Sequence, residues 1–347
     1  MSRRSPKTRW TVRLADRLAT VSITVGGLGT ILAVTGVFMF LVSVVVPLFR
    51  PGHARLREAA PLAAPALHVG TDEYRVCGWS LGRDARWRVF RLDTGDTLST
   101  RELAPADSLA VSSFDVESAS LAIGLLDGSI RTYRIQFQTD YPDSTSLGAD
   151  VSGLEPGALA SSDGAVIERT PEGALRRQRA ALVDVGRIPA VTTARFTSMS
   201  HMADDGGFTI ATIAGDSLIV DKAARSENEF TGEVGLSVER SAVSLPAGAS
   251  ASRVVLVEEG RVACVVDANG HATTWAAGAD SMIVLAEGDL SRDGAAVTAL
   301  APLIGRNTLI VGDTKGDVRT WFSVQNGDRR SLVSPRTFRG DGSAVRA

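Results

Sequence analysis

Histidine and cysteine, the side chains best suited to metal binding and nucleophilic chemistry, are few in this sequence. The four histidines, His53, His68, His201 and His271, stand far from one another. None has the short spacing with which two ligands on one helix or turn meet a metal ion. We therefore expect structural or incidental roles for them, with no metal and no cofactor.

The two cysteines are Cys77 and Cys264. Both lie in apolar, strand-like segments, where a buried free thiol is common. A disulfide would need an oxidising compartment and a fold that brings the two Cα atoms within about 7 Å. The spacing leaves a disulfide open, and two buried free thiols are the expected state.

Two polar segments have some features of ligand loops: Ser-Ser-Asp-Gly at 161–164 and Ala-Asp-Asp-Gly-Gly at 203–207. A calcium loop needs alternating oxygen ligands that end in a bidentate acid, and a nucleophilic serine needs a positioned base. Neither pattern is present, so turn formation explains both segments. Because the sequence has no acid–base constellation, we expect that the protein is not an enzyme.

The elements that must position these residues begin with an uncharged segment. From Leu18 to Phe49 the chain runs 32 residues without a charged side chain, whereas about 20 apolar residues cross a hydrocarbon core of about 30 Å. A cleavable signal peptide is the alternative, but its apolar region spans only about 7 to 15 residues. We predict a transmembrane helix at 18–49, between a cytoplasmic N-terminus at 1–17 and a Pro/Ala-rich linker at 50–67.

The charge distribution indicates an orientation. Residues 1–17 carry six basic side chains and one acidic side chain, and basic flanks are retained on the cytoplasmic side. Residues 58–347 hold 28 basic and 38 acidic residues, a net charge of −10, which speaks against nucleic acid as a partner. We expect the bacterial inner membrane as the location, with most of the chain in the periplasm.

Small residues recur along the predicted transmembrane helix. Ser22, Gly26 and Thr30 are four residues apart, and Gly29 with Ala33 forms a second pair. This spacing lets another helix approach closely. The alternative is ordinary transmembrane composition, which is rich in glycine.

An internal repeat characterises the region after the helix. Two segments match at seven positions without gaps: Leu121, Gly124, Gly128, Ile130, Arg131, Thr132 and Tyr133 align with Leu309, Gly312, Gly316, Val318, Arg319, Thr320 and Trp321. The pattern is typical of a hairpin with a buried strand, a glycine turn at positive φ, and a strand that ends in an aromatic residue. A third copy has Asn-Gly at 269–270 followed by Trp275.

Turn glycines recur with a regular period. They are Gly128, Gly173, Gly215, Gly270 and Gly316, with spacings of 45, 42, 55 and 46 residues. Periods of about 40 to 50 residues with several short strands per unit are typical of β-propeller blades. A β-sandwich with coincidental glycine turns is the alternative. We predict an all-β propeller at 68–347, with about six WD40-like or YVTN-like blades.

The end of the sequence and two arginines carry further expectations. Residues 334–347 resemble the start of another unit without its second strand, so we expect a domain that is truncated at its C-terminal end. Arg131 and Arg319 occupy equivalent repeat positions. We expect them to be solvated and to pair with acids on a neighbouring blade, and an anion site at the propeller axis is the alternative.

The N-terminal part resembles one transporter family. The residues that carry the resemblance are Arg13–Leu18, Gly26–Leu28 and Val44–Phe49. With one helix and one outer β-rich repeat domain, they resemble the front part of the long-form phosphate ABC transporter permease of proteobacteria, the PstC type. That family has a first transmembrane helix, a large propeller-like periplasmic insertion, and then the permease helices.

The resemblance implies that the chain is the membrane-anchored N-terminal portion of a phosphate-import permease, with the propeller as an interaction or regulatory domain. The implied partners are other transmembrane helices of the permease, a periplasmic phosphate-binding protein and, through a part outside this sequence, an ATPase subunit. The sequence has no second apolar run of 18 residues, so no transport residue is carried over. The alternative is a stand-alone periplasmic propeller, anchored in the inner membrane, that acts as a protein–protein scaffold.

Overall fold

A computed structural model describes residues 10–46, 62, 64–144, 147–190, 192–204, 206–227, 234–246, 251–278, 281–327 and 329–346. The chain divides into two units, Met1–Ala59 and Ala60–Ala347. The described part of the first unit is helical, and that of the second is almost entirely β-sheet. The predicted class, one N-terminal apolar helix followed by an all-β body, is confirmed.

The helix of the first unit is α1 (Trp10–Val45). Its segment Leu14–Val45 is long and apolar enough to cross a membrane, with a mean hydropathy of 2.4. It begins at Trp10 rather than at Leu18 because leucine, alanine and arginine in the basic flank are good helix formers. The predicted exit at 47–49 lies outside the described residues.

Hydroxyl groups inside α1 bond to the helix's own backbone. The Thr24 hydroxyl donates to the Thr20 carbonyl over 2.8 Å, and the Thr30 hydroxyl donates to the Gly26 carbonyl over 2.9 Å. An unbonded hydroxyl would be costly in hydrocarbon. These polar residues are therefore compatible with an apolar environment.

The second unit, called the β-body here, has five antiparallel sheets among its described residues. Sheet 1 holds β1 (Ala66–Thr71), β2 (Cys77–Gly82), β3 (Arg86–Arg91) and β4 (Thr97–Glu102). Sheet 2 holds β5 (Leu109–Asp115), β6 (Ser120–Leu125), β7 (Ile130–Asp140), β8 (Leu159–Ser162), β9 (Ala165–Arg169) and β10 (Leu175–Ile188), with the short helix α2 (Ala149–Ser152) between β7 and β8. Sheet 3 holds β11 (Phe196–Ala203), β12 (Gly207–Ala214), β13 (Ser217–Glu227) and β14 (Val234–Ser244). Sheet 4 holds β15 (Ala251–Val257), β16 (Val262–Asp267), β17 (His271–Ala277) and β18 (Met282–Asp289), and sheet 5 holds β19 (Val297–Pro302), β20 (Thr308–Asp313), β21 (Val318–Asn326) and β22 (Arg329–Phe338).

The unit predicted around Gly173 does not form a sheet of its own. Sheet 2 has the strand order β5-β6-β7-β10-β9-β8, and β10 pairs with β7 from Arg177 opposite Asp140 to Ile188 opposite Ile130. The β8–β9 hairpin is thus an extension of sheet 2. The described residues form five sheets where the glycine spacing predicted about six units, because a turn glycine marks a hairpin but not which sheet the hairpin joins.

Each of the five sheets repeats one irregularity. The register between the first and second strands shifts once, after the first pair, and the residues that follow the shift are His68, Val111, Ser198, Arg253 and Ala299. A shift of this kind inserts a residue, bends the strand and re-aims its side chains. The β8–β9 pair lacks it, which identifies five structural repeats.

The matched hairpins form as predicted. Leu121 pairs with Tyr133 and Leu309 pairs with Trp321. All five predicted turn glycines have positive φ, from 61° at Gly215 to 89° at Gly173. In sheet 1 the corresponding turn position is occupied by Ala85, at φ 55°. Because this residue is not glycine, the spacing of turn glycines did not predict the hairpin of sheet 1.

The core of the β-body lies between successive sheets. Trp79 of sheet 1 packs with Leu121 and Ile123 of sheet 2, and its ring meets Phe114 edge-on at 4.8 Å between centroids. Further clusters join sheets 2 and 3, sheets 3 and 4, and sheets 4 and 5. Each fully buried apolar side chain contributes about 1.5–3 kcal/mol, so the contacts between sheets hold the array together.

Candidate functional site

The first strands of all five sheets line one cavity of about 570 Å³. Each strand contributes a polar side chain: His68 from β1, Ser112 from β5, Ser200 from β11, Arg253 from β15 and Thr298 from β19. A second cavity of about 370 Å³ shares His68 and Ser112 and adds Arg83. The larger cavity, called the central cavity here, has a volume typical of ligand pockets.

Serine hydroxyls link the first strands across the central cavity. The Ser113 oxygen accepts a hydrogen bond from the His201 backbone N–H at 3.1 Å, and the Ser200 oxygen accepts one from the Leu256 N–H at 3.0 Å. These two bonds occupy equivalent positions in successive sheets. The Ser198 oxygen adds a third, from the Val254 N–H at 3.0 Å. Buried backbone donors must find acceptors, and these serines supply them where the strands do not pair.

An arginine on the β19–β20 turn ties three sheets together. The Arg306 guanidinium donates to Asp115 of sheet 2 over 2.6 Å, and its Nε lies 3.3 Å from the Glu117 carboxylate. It also contacts the Ala203 carbonyl of sheet 3 at 3.5 Å, and the neighbouring Gly305 N–H donates to Glu117 at 2.7 Å. The side chains of Arg306 and Asp115 are 13% and 8% exposed, so this ion pair is largely removed from water.

A buried chain of hydrogen bonds runs from Asp115 to His201. The Asp115 carboxylate only accepts, so the Ser118 hydroxyl donates to it at 2.6 Å. Ser118 then has no hydrogen left for Ser120 at 2.7 Å, and Ser120 must donate to Ser118. The remaining contact, 2.7 Å between the Ser120 oxygen and His201 Nε2, therefore has the imidazole as donor. This order of hydrogens does not activate Ser120 as a nucleophile.

His201 is the most perturbed titratable group that lines the central cavity. Its side chain is buried, and Nδ1 has no hydrogen-bond partner within the described part of the chain. Burial lowers the pKa of His201 to about 4; the Asp115 carboxylate opposes this shift, and the Arg306 guanidinium and the neighbouring His68, when protonated, reinforce it. Burial also lowers the pKa of His68, although a hydrogen bond to Ser112 partly compensates. Both rings are thus neutral near pH 7.

The other predicted residues lie outside the central cavity. His271 pairs with Asp289 at 2.8 Å on the surface of sheet 4, and His53 lies outside the described residues. Cys77 and Cys264 are buried free thiols, and burial raises the pKa of each to about 12. No group of three His, Cys, Asp or Glu side chains in the described ranges has a geometry that would hold a metal ion.

Two expectations about arginines were only partly right. Arg319 pairs with acids, but it is buried and its partners, Asp313 at 2.6 Å and Asp317 at 3.0 Å, belong to its own hairpin. Arg131 donates to the Leu103 carbonyl at 2.7 Å. Neither residue lines the central cavity, because hairpin strands two and three lie farther from it than the first strands.

The polar turn at 203–207 binds its own backbone, and the small-residue face of α1 is exposed. In the 203–207 segment, the Asp204 carboxylate accepts from the backbone N–H groups of Gly206 and Gly207 at 2.8 and 2.7 Å, which is a turn contact. Five small residues of α1 are all exposed: Ser22, Gly26, Gly29, Thr30 and Ala33. A Cβ added at Gly26 or Gly29 would meet no atom within 4 Å.

Sequence reasoning missed Arg253, Arg306 and Asp115. Arg306 stands on the β19–β20 turn of sheet 5 and Asp115 at the end of β5 in sheet 2, 191 residues apart, and no local pattern joins them. A weak signal existed in the serines, since Ser112-Ser113 and Ser198-x-Ser200 place hydroxyls in strands that otherwise carry apolar residues.

No protein-family model matches this chain, and no curated protein matches its sequence.

Proposed function

We propose that this chain is the membrane-anchored N-terminal portion of a phosphate-import ABC permease. In this proposal α1 is the first transmembrane helix, and the β-body is an outer interaction or regulatory domain. The observation that carries the proposal is an exposed apolar helix of 32 residues, Leu14–Val45, in the same chain as a repeat-built β-body. The resemblance at Arg13–Leu18, Gly26–Leu28 and Val44–Phe49 supplies the transporter class.

The small-residue face of α1 supports packing against other helices. Gly26 and Gly29 have open space where a Cβ would be, and the Thr30 hydroxyl is satisfied within the helix. Small residues allow close backbone approach, which is how helices associate in lipid. The proposed occupants of this face are other helices of the permease.

The basic flank supports the proposed orientation. Six basic residues precede the apolar segment, so in this proposal the N-terminus is cytoplasmic and the β-body is periplasmic. The anchor is then a spanning helix and not a cleaved leader, since its apolar length exceeds that of a signal peptide.

The five sheets are, in this proposal, blades of a β-propeller. Three observations support it. The first hairpin of each sheet has the same register shift, and the first strands contact one another in sequence, β5 with β11, β11 with β15 and β15 with β19. The first strands of all five sheets also line the central cavity. This arrangement is typical of strands around a propeller axis.

Phosphate uptake tests the transport proposal directly. A strain that lacks the full-length protein should lose high-affinity uptake of radiolabelled phosphate, and unchanged uptake would overturn the proposal. A Gly29→Ile variant, in which a branched side chain blocks the small-residue face, should lower uptake. Gly27→Ile is the matched control, because residue 27 lies about 200° round the helix from residue 29.

Orientation is tested by fusing alkaline phosphatase, which is active only outside the cytoplasm, to the end of the β-body. We expect an active fusion that stays in the membrane fraction after alkaline extraction. An inactive fusion would place the β-body in the cytoplasm, and an active but soluble fusion would indicate a cleaved leader.

The second candidate function, a membrane-anchored scaffold, is favoured by one surface. Val116 and Ile304 are 72% and 83% exposed on turns that the Glu117–Gly305 hydrogen bond joins. Exposed apolar side chains that cluster mark protein-interaction sites. A deletion strain with normal phosphate uptake but altered envelope complexes on native gels would favour this function.

A further inference from the structure

Two arginines and two carboxylates line the central cavity, and one of the arginines is not paired with either acid. Asp115 and Glu117 line it, but both are engaged by Arg306. Arg253 also lines the cavity and is half-buried. Its guanidinium has no hydrogen-bond or ion-pair partner among the residues that the structure describes. A half-buried cation without a partner is costly, which points to a ligand of opposite charge.

Hydroxyl groups around the same cavity have hydrogen-bond donors to spare. Ser113, Ser198 and Ser200 each use the oxygen to accept a backbone N–H. Each therefore keeps its O–H for another acceptor. Thr298 Oγ1 is buried and has no partner within the described ranges. Side chains from β5, β11, β15 and β19 thus offer donors to one space.

Because the rings of His68 and His201 are neutral, Arg253 is the one cation lining the central cavity, among the described residues, that no carboxylate engages. Burial lowers the pKa of both histidines, so neither is a cation near pH 7. Arg83, which lines the adjoining cavity of about 370 Å³, adds a second cation without a partner in the described structure.

We infer that the central cavity binds a small tetrahedral oxyanion, with Arg253 as its charged contact and serine and threonine hydroxyls as further donors. The guanidinium fork matches two oxygens of phosphate or sulfate, and partial exclusion of water strengthens the attraction. The inference does not rest on the transport function proposed above, because a scaffold domain would carry the same cavity.

Titration calorimetry of the full chain in detergent tests this inference, with phosphate, sulfate and chloride at constant ionic strength. We expect one site per chain for phosphate, for sulfate or for both, with a Kd of about 1 mM or tighter, and no binding heat with chloride. Binding of phosphate without binding of sulfate would indicate a site that recognises a protonated oxygen of the anion. Equal binding of both oxyanions would indicate recognition of charge and shape.

Two variants assign the site to Arg253. Arg253→Ala should weaken binding by about tenfold or more, since charge-assisted hydrogen bonds are lost. The affinity of Arg253→Lys should fall between those of the unaltered protein and Arg253→Ala, because lysine keeps the charge but lacks the guanidinium fork. Arg225→Ala is the control, because Arg225 is exposed on β13 and does not line the central cavity. If Arg253→Ala does not fold, Thr298→Val tests the same site with a volume-matched loss of one donor. Binding of neither oxyanion, or unchanged affinity in Arg253→Ala or Thr298→Val, would overturn the inference.

Discussion

Replacing Arg306 with alanine tests whether the contacts beside the central cavity hold the sheets together. The guanidinium is 13% exposed, and its main partner, Asp115, is 8% exposed. Removing one partner of a buried ion pair typically costs about 3–5 kcal/mol, because the remaining charge is left in a poorly solvated place. In Arg306→Ala the Asp115 carboxylate would keep three donors, the Ser118 hydroxyl at 2.6 Å, the Ala203 N–H at 3.1 Å and the Glu117 N–H at 3.3 Å.

Those remaining hydrogen bonds place the expected loss near the lower end, at about 3 kcal/mol of unfolding free energy. This corresponds to about two orders of magnitude in the folding equilibrium constant. Urea unfolding of the full chain in detergent, followed by tryptophan fluorescence, measures it. The sequence holds five tryptophans, and those at Trp79, Trp87, Trp275 and Trp321 are buried in the β-body.

A double-mutant cycle separates the lost ion pair from a general loss of packing. If the uncompensated carboxylate causes the destabilisation, Asp115→Ala combined with Arg306→Ala should lose clearly less than the sum of the single variants. Arg225→Ala, which removes an exposed arginine, should change the free energy by no more than about 0.5 kcal/mol. A loss below about 1 kcal/mol in Arg306→Ala, or full additivity in the double variant, would refute the reasoning.

Three further predictions concern titration, thiols and turns. Burial lowers the pKa of His201 to about 4 from its usual 6.5, so the unfolded chain takes up its proton first as pH falls. The unfolding free energy should therefore drop by about 3 kcal/mol between pH 6.5 and 4, and a His201→Gln variant measured at the same pH values should show a shallower drop. Burial raises the pKa values of Cys77 and Cys264 to about 12. Both thiols should therefore resist modification by a thiol reagent in the native protein and react with it in urea. Fast modification of either cysteine in the native protein would contradict its burial. Gly128→Ala should destabilise the protein by about 2 kcal/mol or more, because φ is 78° and a Cβ would lie 2.1 Å from the Thr192 carbonyl oxygen. Gly173→Ala, with φ 89° and no atom within 4 Å of the added Cβ, should cost only about 1 kcal/mol. Equal losses of unfolding free energy in urea would argue against the close contact at Gly128.

Local features of the fold were predictable from the sequence. The helix followed from uncharged length, and the hairpins followed from a glycine turn with an aromatic residue five positions later, as at Gly316 and Trp321. These signals are local because turn geometry and strand burial are decided within about ten residues. The pairing of Leu309 with Trp321 is the outcome that this local pattern predicts.

Long-range features were not predictable. The pairing of β7 with β10 skips an insertion that carries α2, β8 and β9, so the glycine at 173 suggested a separate unit. Ala85 adopts the left-handed conformation usually reserved for glycine, and a repeat search keyed to glycine overlooks it. The central cavity depends on five first strands from distant parts of the chain, and no spacing in the sequence encodes their convergence.

The Arg306–Asp115 ion pair has a consequence for the lifetime of the folded state. The two residues are 191 positions apart, and the loop that they close contains the remainder of sheet 2 and all of sheets 3 and 4. Closing so long a loop is entropically unfavourable until the intervening sheets have formed. We therefore expect this contact to be absent from the folding transition state, so that it slows unfolding while leaving the rate of folding almost unchanged. One arginine on a surface turn would then govern how long the array of sheets persists once it has assembled.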